Sequence, residues 1–333
     1  MTRTRHAIWR YILLVVAALF VAATCRTLLV ELYTVAPGQM ENSLLAGDRV
    51  MVEKWHYGIR LPQSYLSIPL LDTLPGTKQP AYFPATPLPY RRTTTQVVSR
   101  NDVILFNYPT HEEKPLSHYP TAIARCIGVP GDTIYSTDDT LHINGLPIEQ
   151  NMLVTRGYLV PDSLWHIVSH TTTTIWGKAV EQRTIGHSHL IYIDNQQYDQ
   201  LCESLDPAQY PTPISLAQDN YYIELPPIDG WVTITPRNAS LLASIINLYE
   251  PCKVEQHGSS LYRGGRKITH YHFTQPYYWV LCDNRTASTD SRTFGVLPHS
   301  HIVGRCNTIL FSIDATQRGF ASWRTHRFLQ SSQ

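Results

Sequence analysis

Residues 282–295 read Cys282-Asp-Asn-Arg-Thr-Ala-Ser-Thr-Asp-Ser-Arg-Thr-Phe-Gly295. Asp283, Arg285, Asp290 and Arg292 alternate in sign along this short stretch. Acids interleaved with arginines in a loop point to charge-paired bracing; a solvated turn is the plainer alternative. Short β-rich runs flank it: Tyr277-Tyr-Trp-Val-Leu281 before, His301-Ile-Val-Gly304 and Thr308-Ile-Leu-Phe311 after. Further out lie Arg49-Val-Met-Val-Glu53, Asp102-Val-Ile-Leu-Phe106 and Leu141-His-Ile-Asn-Gly145. Asn144-Gly145 between apolar runs is a strong hairpin signal. Helical periodicity is scarce, with Ala239–Tyr249 as its clearest instance. The spacing therefore predicts a mainly β chain.

Composition narrows the class further. The 333 residues carry 27 basic and 26 acidic side chains, with 43% hydrophobic and 16% charged. Apolar content of that order excludes a disordered chain, and a net charge near neutrality gives no reason to expect nucleic acid as a partner. Six cysteines without a CxxC pair argue against a zinc site or a thioredoxin-type centre. No metal or other cofactor is expected.

Residues 11–25 carry no charge, and Arg3, Arg5 and Arg10 precede them. Including Leu28, Leu29 and Val30 brings the apolar run near the ~20 residues of a membrane span. The positive-inside rule then places residues 1–10 in the cytoplasm. A cleaved signal peptide is the rival reading, for which Ala22-Ala-Thr-Cys25 offers a weak cleavage match. The expected organisation is a cytoplasmic tail (1–10), a transmembrane anchor (11–30), a core in two parts (31–148 and 268–312), an inserted variable β domain (149–267) and a C-terminal tail (313–333). Residues 62–96, rich in Pro, Thr and Tyr, read as a long surface loop.

Three blocks carry a family resemblance. The first runs from Arg26 through Pro37-Gly-Gln-Met40 and Gly47-Asp48 to Lys54-Trp-His-Tyr-Gly58; the second is Arg100-Asn-Asp-Val-Ile-Leu-Phe106 followed by Ala122-Ile-Ala-Arg-Cys-Ile-Gly-Val-Pro-Gly-Asp132; the third is the 282–295 stretch with His301-Ile-Val-Gly-Arg305. In this order, behind an apolar N-terminus, they resemble bacterial type I signal peptidase. That family consists of membrane-anchored serine endopeptidases that use a Ser/Lys dyad to remove signal peptides from exported proteins. The resemblance implies a signal-peptidase-like β catalytic core with an inserted second β domain and one N-terminal transmembrane helix. It also implies a single-pass place in the inner (cytoplasmic) membrane, with the bulk of the chain periplasmic.

The residues that carry the family's chemistry are missing. The nucleophilic Ser before Met is here Gln39, before Met40; the base Lys before Arg is Ala124, before Arg125; the Ser that donates to the oxyanion is Pro37. A carboxamide is no nucleophile, a methyl group is no base, and proline lacks even an amide hydrogen. No serine occurs in residues 1–42, so a shifted register offers only Ser43 as a fallback nucleophile. Losing such a dyad costs on the order of 10⁶ in kcat, about 8 kcal/mol. The resemblance marks Gly38, Met40, Gly47, Asp48, Arg125, Asp283, Asn284, Arg285, Ser288, Asp290, Ser291 and Arg292 as a retained supporting shell.

Other groupings are weaker. His187 with His189, and His270 with His272, sit at i, i+2 spacing, and no neighbouring carboxylate in sequence completes either as a metal site. His111, Ser117 and His118 have nothing that places them near Gln39. Cys202 with Cys252, and Cys126 with Cys306, are candidate disulfides. The expected protein is an inactive homologue, held in membrane lipid, that binds signal-peptide-like segments or an active paralogue. The alternatives are an active endopeptidase with an unusual nucleophile and a purely structural envelope protein.

Overall fold

The computed structural model describes residues 2–41, 43–61, 90–93, 96–110, 115–137, 140–148, 155–177, 180, 182–213, 221–285, 289–314, 317 and 319–332; side chains at 2–8, 19, 20, 23, 27 and 185 lie outside this set. Most of the 62–96 loop, together with His111 and Ser288, falls outside the described residues.

An eight-stranded antiparallel sheet holds the three sequence blocks together. Helix α1 (Thr2–Leu28) leads directly into β1 (Val30–Thr34), followed by β2 (Asp48–Glu53), β3 (Val103–Asn107) and β4 (Thr121–Gly128). After helices α2 (Asp162–Trp176), α3 (Asn195–Glu203) and α4 (Ala239–Tyr249), the chain returns as β5 (Tyr277–Leu281), a short α5 (Ser291–Phe294) and β6 (Ile302–Ser312). The strand order is β1-β2-β6-β3-β4-β5, with Leu297–Pro298 beyond β5 and Gln330–Ser331 added to β6. All five residues of β3 are buried, as a central strand covered on both faces requires.

The two-residue period of β3 and β4 separates two cores. Ile104, Phe106, Ala122, Ala124 and Cys126 face one cluster, with Tyr278, Val280 and Cys282. Val103, Leu105 and Ile123 face the other, with Met40, Leu44, Val50, Val52 and Ile309. Gly47 closes the turn into β2 at φ +91°, and a Cβ there would lie 1.9 Å from the Ile313 carbonyl oxygen. Only glycine fits such a position.

Several expectations need correction. Among the described residues no helix is long and apolar enough to cross a membrane, so the span at 11–30 is not supported, although α1 is helical throughout that stretch up to Leu28. The 149–267 region is not a purely β insertion. Strands Thr155–Pro161 and Ser188–Asp194 pair with each other, and α2 and α3 pack on them around Tyr158, Val160, Val168, Ile191, Ile193 and Leu201. The threonine run disguised α2, since β-branched residues are weak helix formers. In the folded chain Thr171, Thr173 and Thr174 donate their hydroxyls to carbonyls one turn back, and Gly177 ends the helix at φ +66°. In the C-terminal segment, Arg327 pairs with buried Asp48 at 2.7 Å.

Candidate active site

The 282–295 loop is braced by two ion pairs. Arg125, on β4, reaches Asp283 with two hydrogen bonds, Nε to Oδ1 at 2.9 Å and Nη2 to Oδ2 at 2.7 Å. Burial alone would lower the Arg125 pKa, but the bonds and charge of Asp283 outweigh it and raise the value. Asp290 is fully buried and accepts from the Cys282 and Arg292 amides and from the Arg292 guanidinium (2.9 Å). Its carboxylate thereby caps α5. The Ser291 hydroxyl oxygen accepts from the Val280 amide at 2.9 Å, and Arg285 donates to the Cys282 carbonyl at 3.1 Å. The two buried aspartates of this loop are each met by an arginine at good distance, which is the condition for retaining them in an apolar surround.

The loop also ties the first block in place. Asn284 donates from its amide to the Gln39 carbonyl (3.3 Å) and from its side chain to Glu41 (3.0 Å), and Glu41 accepts from the Gly38 amide (3.0 Å). Gly38 has φ +88°. Thr155, at the start of the insertion, exchanges backbone bonds with Asp283 and Arg285 at 3.1 and 2.9 Å. Nothing in the sequence pointed to Thr155, because the contact joins segments far apart in the chain.

The positions that the family resemblance marks as reactive lie within this frame. Ala124 is completely buried in the same apolar cluster as Cys282, Val280 and Phe106. Gln39 is half-buried, and its side-chain oxygen has no hydrogen-bond partner. Pro37 is exposed and Met40 is buried in the opposite core. The Ser43 hydroxyl donates to Asp283 Oδ2 at 2.6 Å. Both oxygens of that carboxylate are already engaged by Arg125, so Ser43 closes a bracing triad and does not face a free base. Cys282 adds to the filling: its thiol lies 3.9 Å from the Ile123 carbonyl oxygen, and burial, with the Asp290 charge second, pushes its pKa up to about 12. A thiol held neutral in this way is no nucleophile at ordinary pH.

Between β1 and the first half of β4 runs an unpaired edge. β4 pairs with β3 from Thr121 to Arg125, but with β5 only from Arg125 to Gly128. On the open side, the Thr121 carbonyl accepts from the Tyr33 hydroxyl at 3.4 Å, and the Ile123 carbonyl from the Cys282 thiol at 3.9 Å. Both contacts are long, and the thiol is a weak donor.

The remaining candidates separate. Asp162 lies beside both His189 (3.0 Å) and His187 (3.8 Å), a carboxylate that sequence spacing could not place there. Still, among the described residues no group of three His, Cys, Asp or Glu is arranged to hold a metal. His270 and His272 are exposed on a short strand, Thr269 and Trp231 being their neighbours. All six cysteines are free. Cys126 on β4 and Cys306 on β6 are separated by β3, and two strand spacings exceed disulfide reach. Cys202 belongs to α3, which packs in the insertion, whereas Cys252 follows α4 in a different core.

The family model described as "Signal peptidase, peptidase S26" matches residues 8–311. Signal peptidase I of Pseudomonas aeruginosa is 32% identical over 139 residues, covering 40% of this chain and 37% of that protein. Signal peptidase I of Buchnera aphidicola is 24% identical over 292 residues, covering 88% of this chain and 71% of that protein. The chain thus aligns with well under half the length of the Pseudomonas relative. The crystal structure of a signal peptidase I from Enterococcus faecalis superposes with a TM-score of 0.24 at 15% identity, over 63% of this chain and 97% of the other; a likeness that distant does not bear on the fold. With the family model matching nearly the whole chain and the three blocks joined through one braced loop, the chain belongs to the signal peptidase S26 family.

Proposed function

We propose that this chain is a member of its family that binds extended, signal-peptide-like segments and does not cleave them. The observation that carries the reading is Ala124: at the position of the family's base stands a methyl group sealed in an apolar cluster. Gln39 at the nucleophile position and Pro37 at the oxyanion position point the same way. Binding is supported by the open edge of β4, where a peptide strand could replace the long Tyr33 and Cys282 contacts with backbone hydrogen bonds. An active signal peptidase in the same membrane is a second candidate partner.

Helix α1 would serve as the single-pass anchor in the inner membrane, its N-terminus cytoplasmic and the sheet periplasmic. Its exposed Trp9, Tyr11, Leu13, Leu14, Val15 and Val16 support that posture. The competing reading is a hydrolase that uses Ser43, favoured only by the short Ser43–Asp283 contact.

The test is a purified-protein assay with a labelled preprotein, read for binding by fluorescence anisotropy and for cleavage by gel. Saturable binding without product is expected, and Tyr33→Phe should tighten it by freeing the Thr121 carbonyl. Cleavage that disappears in Ser43→Ala would overturn the proposal in favour of the hydrolase. Absence of both binding and cleavage would favour a structural role.

A further inference from the structure

Two arginines stand opposite each other, and among the described residues no acid bonds to either, although the Glu31 carboxylate, itself paired with Lys54, still draws on the Arg60 charge. Arg60 and Arg92 form an isolated antiparallel bridge, fixed by bonds of 3.0 Å from Leu61 to Arg91 and from Thr93 to Ile59. Opposed residues of an antiparallel pair put their side chains on one face, about 5 Å apart at Cβ, where like charges repel. The described bonds of both guanidiniums go to neutral groups. Arg60 donates to Asn107 Oδ1 at 2.8 Å; Arg92 donates to His299 Nε2 at 2.8 Å and to the Ile302 carbonyl. Among the described residues no carboxylate pairs with either one. Arg92 Nε and the Tyr90 hydroxyl are buried and without a hydrogen-bond partner, and the Arg92 guanidinium lies 6.0 Å from the Tyr90 ring centre.

The contrast with the rest of the molecule is direct. Arg125, Arg292, Arg305 and Arg327 each meet an aspartate within 3.1 Å. Among the described residues, this bridge sets two partly buried cations side by side with neutral acceptors for their bonds. Burial, before any other cause, lowers the Arg60 pKa to about 10 and lowers that of Arg92 as well. An uncompensated buried charge is costly, and a pair of them more so. If these side chains only braced the Ile302 carbonyl and Asn107, neutral amides would do so without the repulsion.

We propose that Arg60 and Arg92, with the Tyr90 hydroxyl, form an anion-binding site for a phosphate group. Two guanidinium forks converging from one face suit a tetrahedral oxyanion with several acceptor oxygens. The site lies at the end of the sheet where α1 enters: Glu53, seven residues before Arg60, pairs with Val30, and the Lys54 amide donates to the Leu29 carbonyl. Exposed Trp55 and Leu61 flank Arg60 in sequence. The phosphate could therefore belong to a phospholipid headgroup or to a soluble ester. This site is separate from the β4 edge and does not depend on the peptide-binding reading.

Thermal unfolding of the detergent-solubilised full chain tests it, with three additions at matched ionic strength: sodium chloride, inorganic phosphate and short-chain phosphatidylglycerol. Phosphate or phosphatidylglycerol should raise the Tm of the wild type beyond chloride, in proportion to the logarithm of ligand concentration. Arg60→Gln should lose at least roughly tenfold in affinity, the size of one charged hydrogen bond. The same variant should melt higher than the wild type in chloride, because the repulsion is gone; a mere brace would melt lower. A larger response to phosphatidylglycerol assigns the headgroup, and equal responses assign the free ester. Equal shifts with chloride, or an undiminished response in Arg60→Gln, would overturn the site.

Discussion

The loop around Asp283 and Asp290 and the two positions it encloses have opposite chemistry. In the loop, Asp283 faces Arg125 and Asp290 faces Arg292, with side chains no more than 11% exposed. In the enclosed positions, Ala124 is apolar and Gln39 is neutral. Ion pairs of this kind hold a backbone in one geometry whether or not anything reacts nearby, and breaking one is expensive. A lysine and serine that served a reaction alone would not be needed to hold this frame, which stands here with Ala124 and Gln39 at those positions. The difference teaches that a family's scaffold and its chemistry are held by separate interactions.

The strongest way to break this comparison is to restore the chemistry. Gln39→Ser with Ala124→Lys should yield no preprotein processing, because Cys282 occupies the cluster into which the lysine must extend. Adding Cys282→Gly should open that volume and recover processing by as much as the ~10⁶-fold that such a dyad supplies. Cleavage by the double variant would show that Cys282 is no obstacle.

The next largest effect strikes the frame itself. Asp290→Ala removes the carboxylate that faces buried Arg292 and the acceptor of the Cys282 amide, which should cost about 3–5 kcal/mol in urea unfolding. A loss under 1 kcal/mol would mean that the pair is not structural. Ser43→Ala removes one bond to a charged carboxylate and should cost about 1.5–3 kcal/mol. It should leave peptide binding unchanged, since Ser43 faces Asp283 and not the β4 edge.

The last effect concerns pH. His299 and His301 are buried, and burial, followed by the charges of Arg92 and Arg60 for His299 and of Arg60 for His301, lowers both to about 3. Their unfolded value is near 6.5, so between pH 3 and 6.5 the unfolded chain binds more protons than the native one. Stability is therefore complete above about pH 6.5 and falls on acidification, by roughly 1.4 kcal/mol per pH unit for each histidine. Denaturant midpoints between pH 6.5 and 5, above the carboxylate range, should show this slope, and His301→Phe should lessen it.

Much of the frame was legible because its signals are local. The runs at 49–53, 102–106 and 277–281 coincide with β2, β3 and β5 to within a residue or so, and the Asn144-Gly145 turn has both residues at positive φ. Helix α4 occupies the stretch whose periodicity marked it. Helix α2 was hidden, since packing of Val168 and Thr172 overrides its poor propensity. Asp162 beside His189 was hidden too, because the strand-to-strand return that joins them leaves no trace in spacing.

What the sequence determined by itself was identity at each position: a glutamine and an alanine where a hydroxyl and an amine would be needed, and alternating charges in a loop between strands. Those are properties of single residues and of short-range period. Tertiary structure alone decided which groups meet: Ser43 with Asp283, Arg327 with Asp48, Cys282 with the wall around Ala124, and Arg60 with Arg92. Such contacts join residues 30 to more than 250 positions apart, and only the pairing of strands distant in the chain brings their side chains within bonding distance.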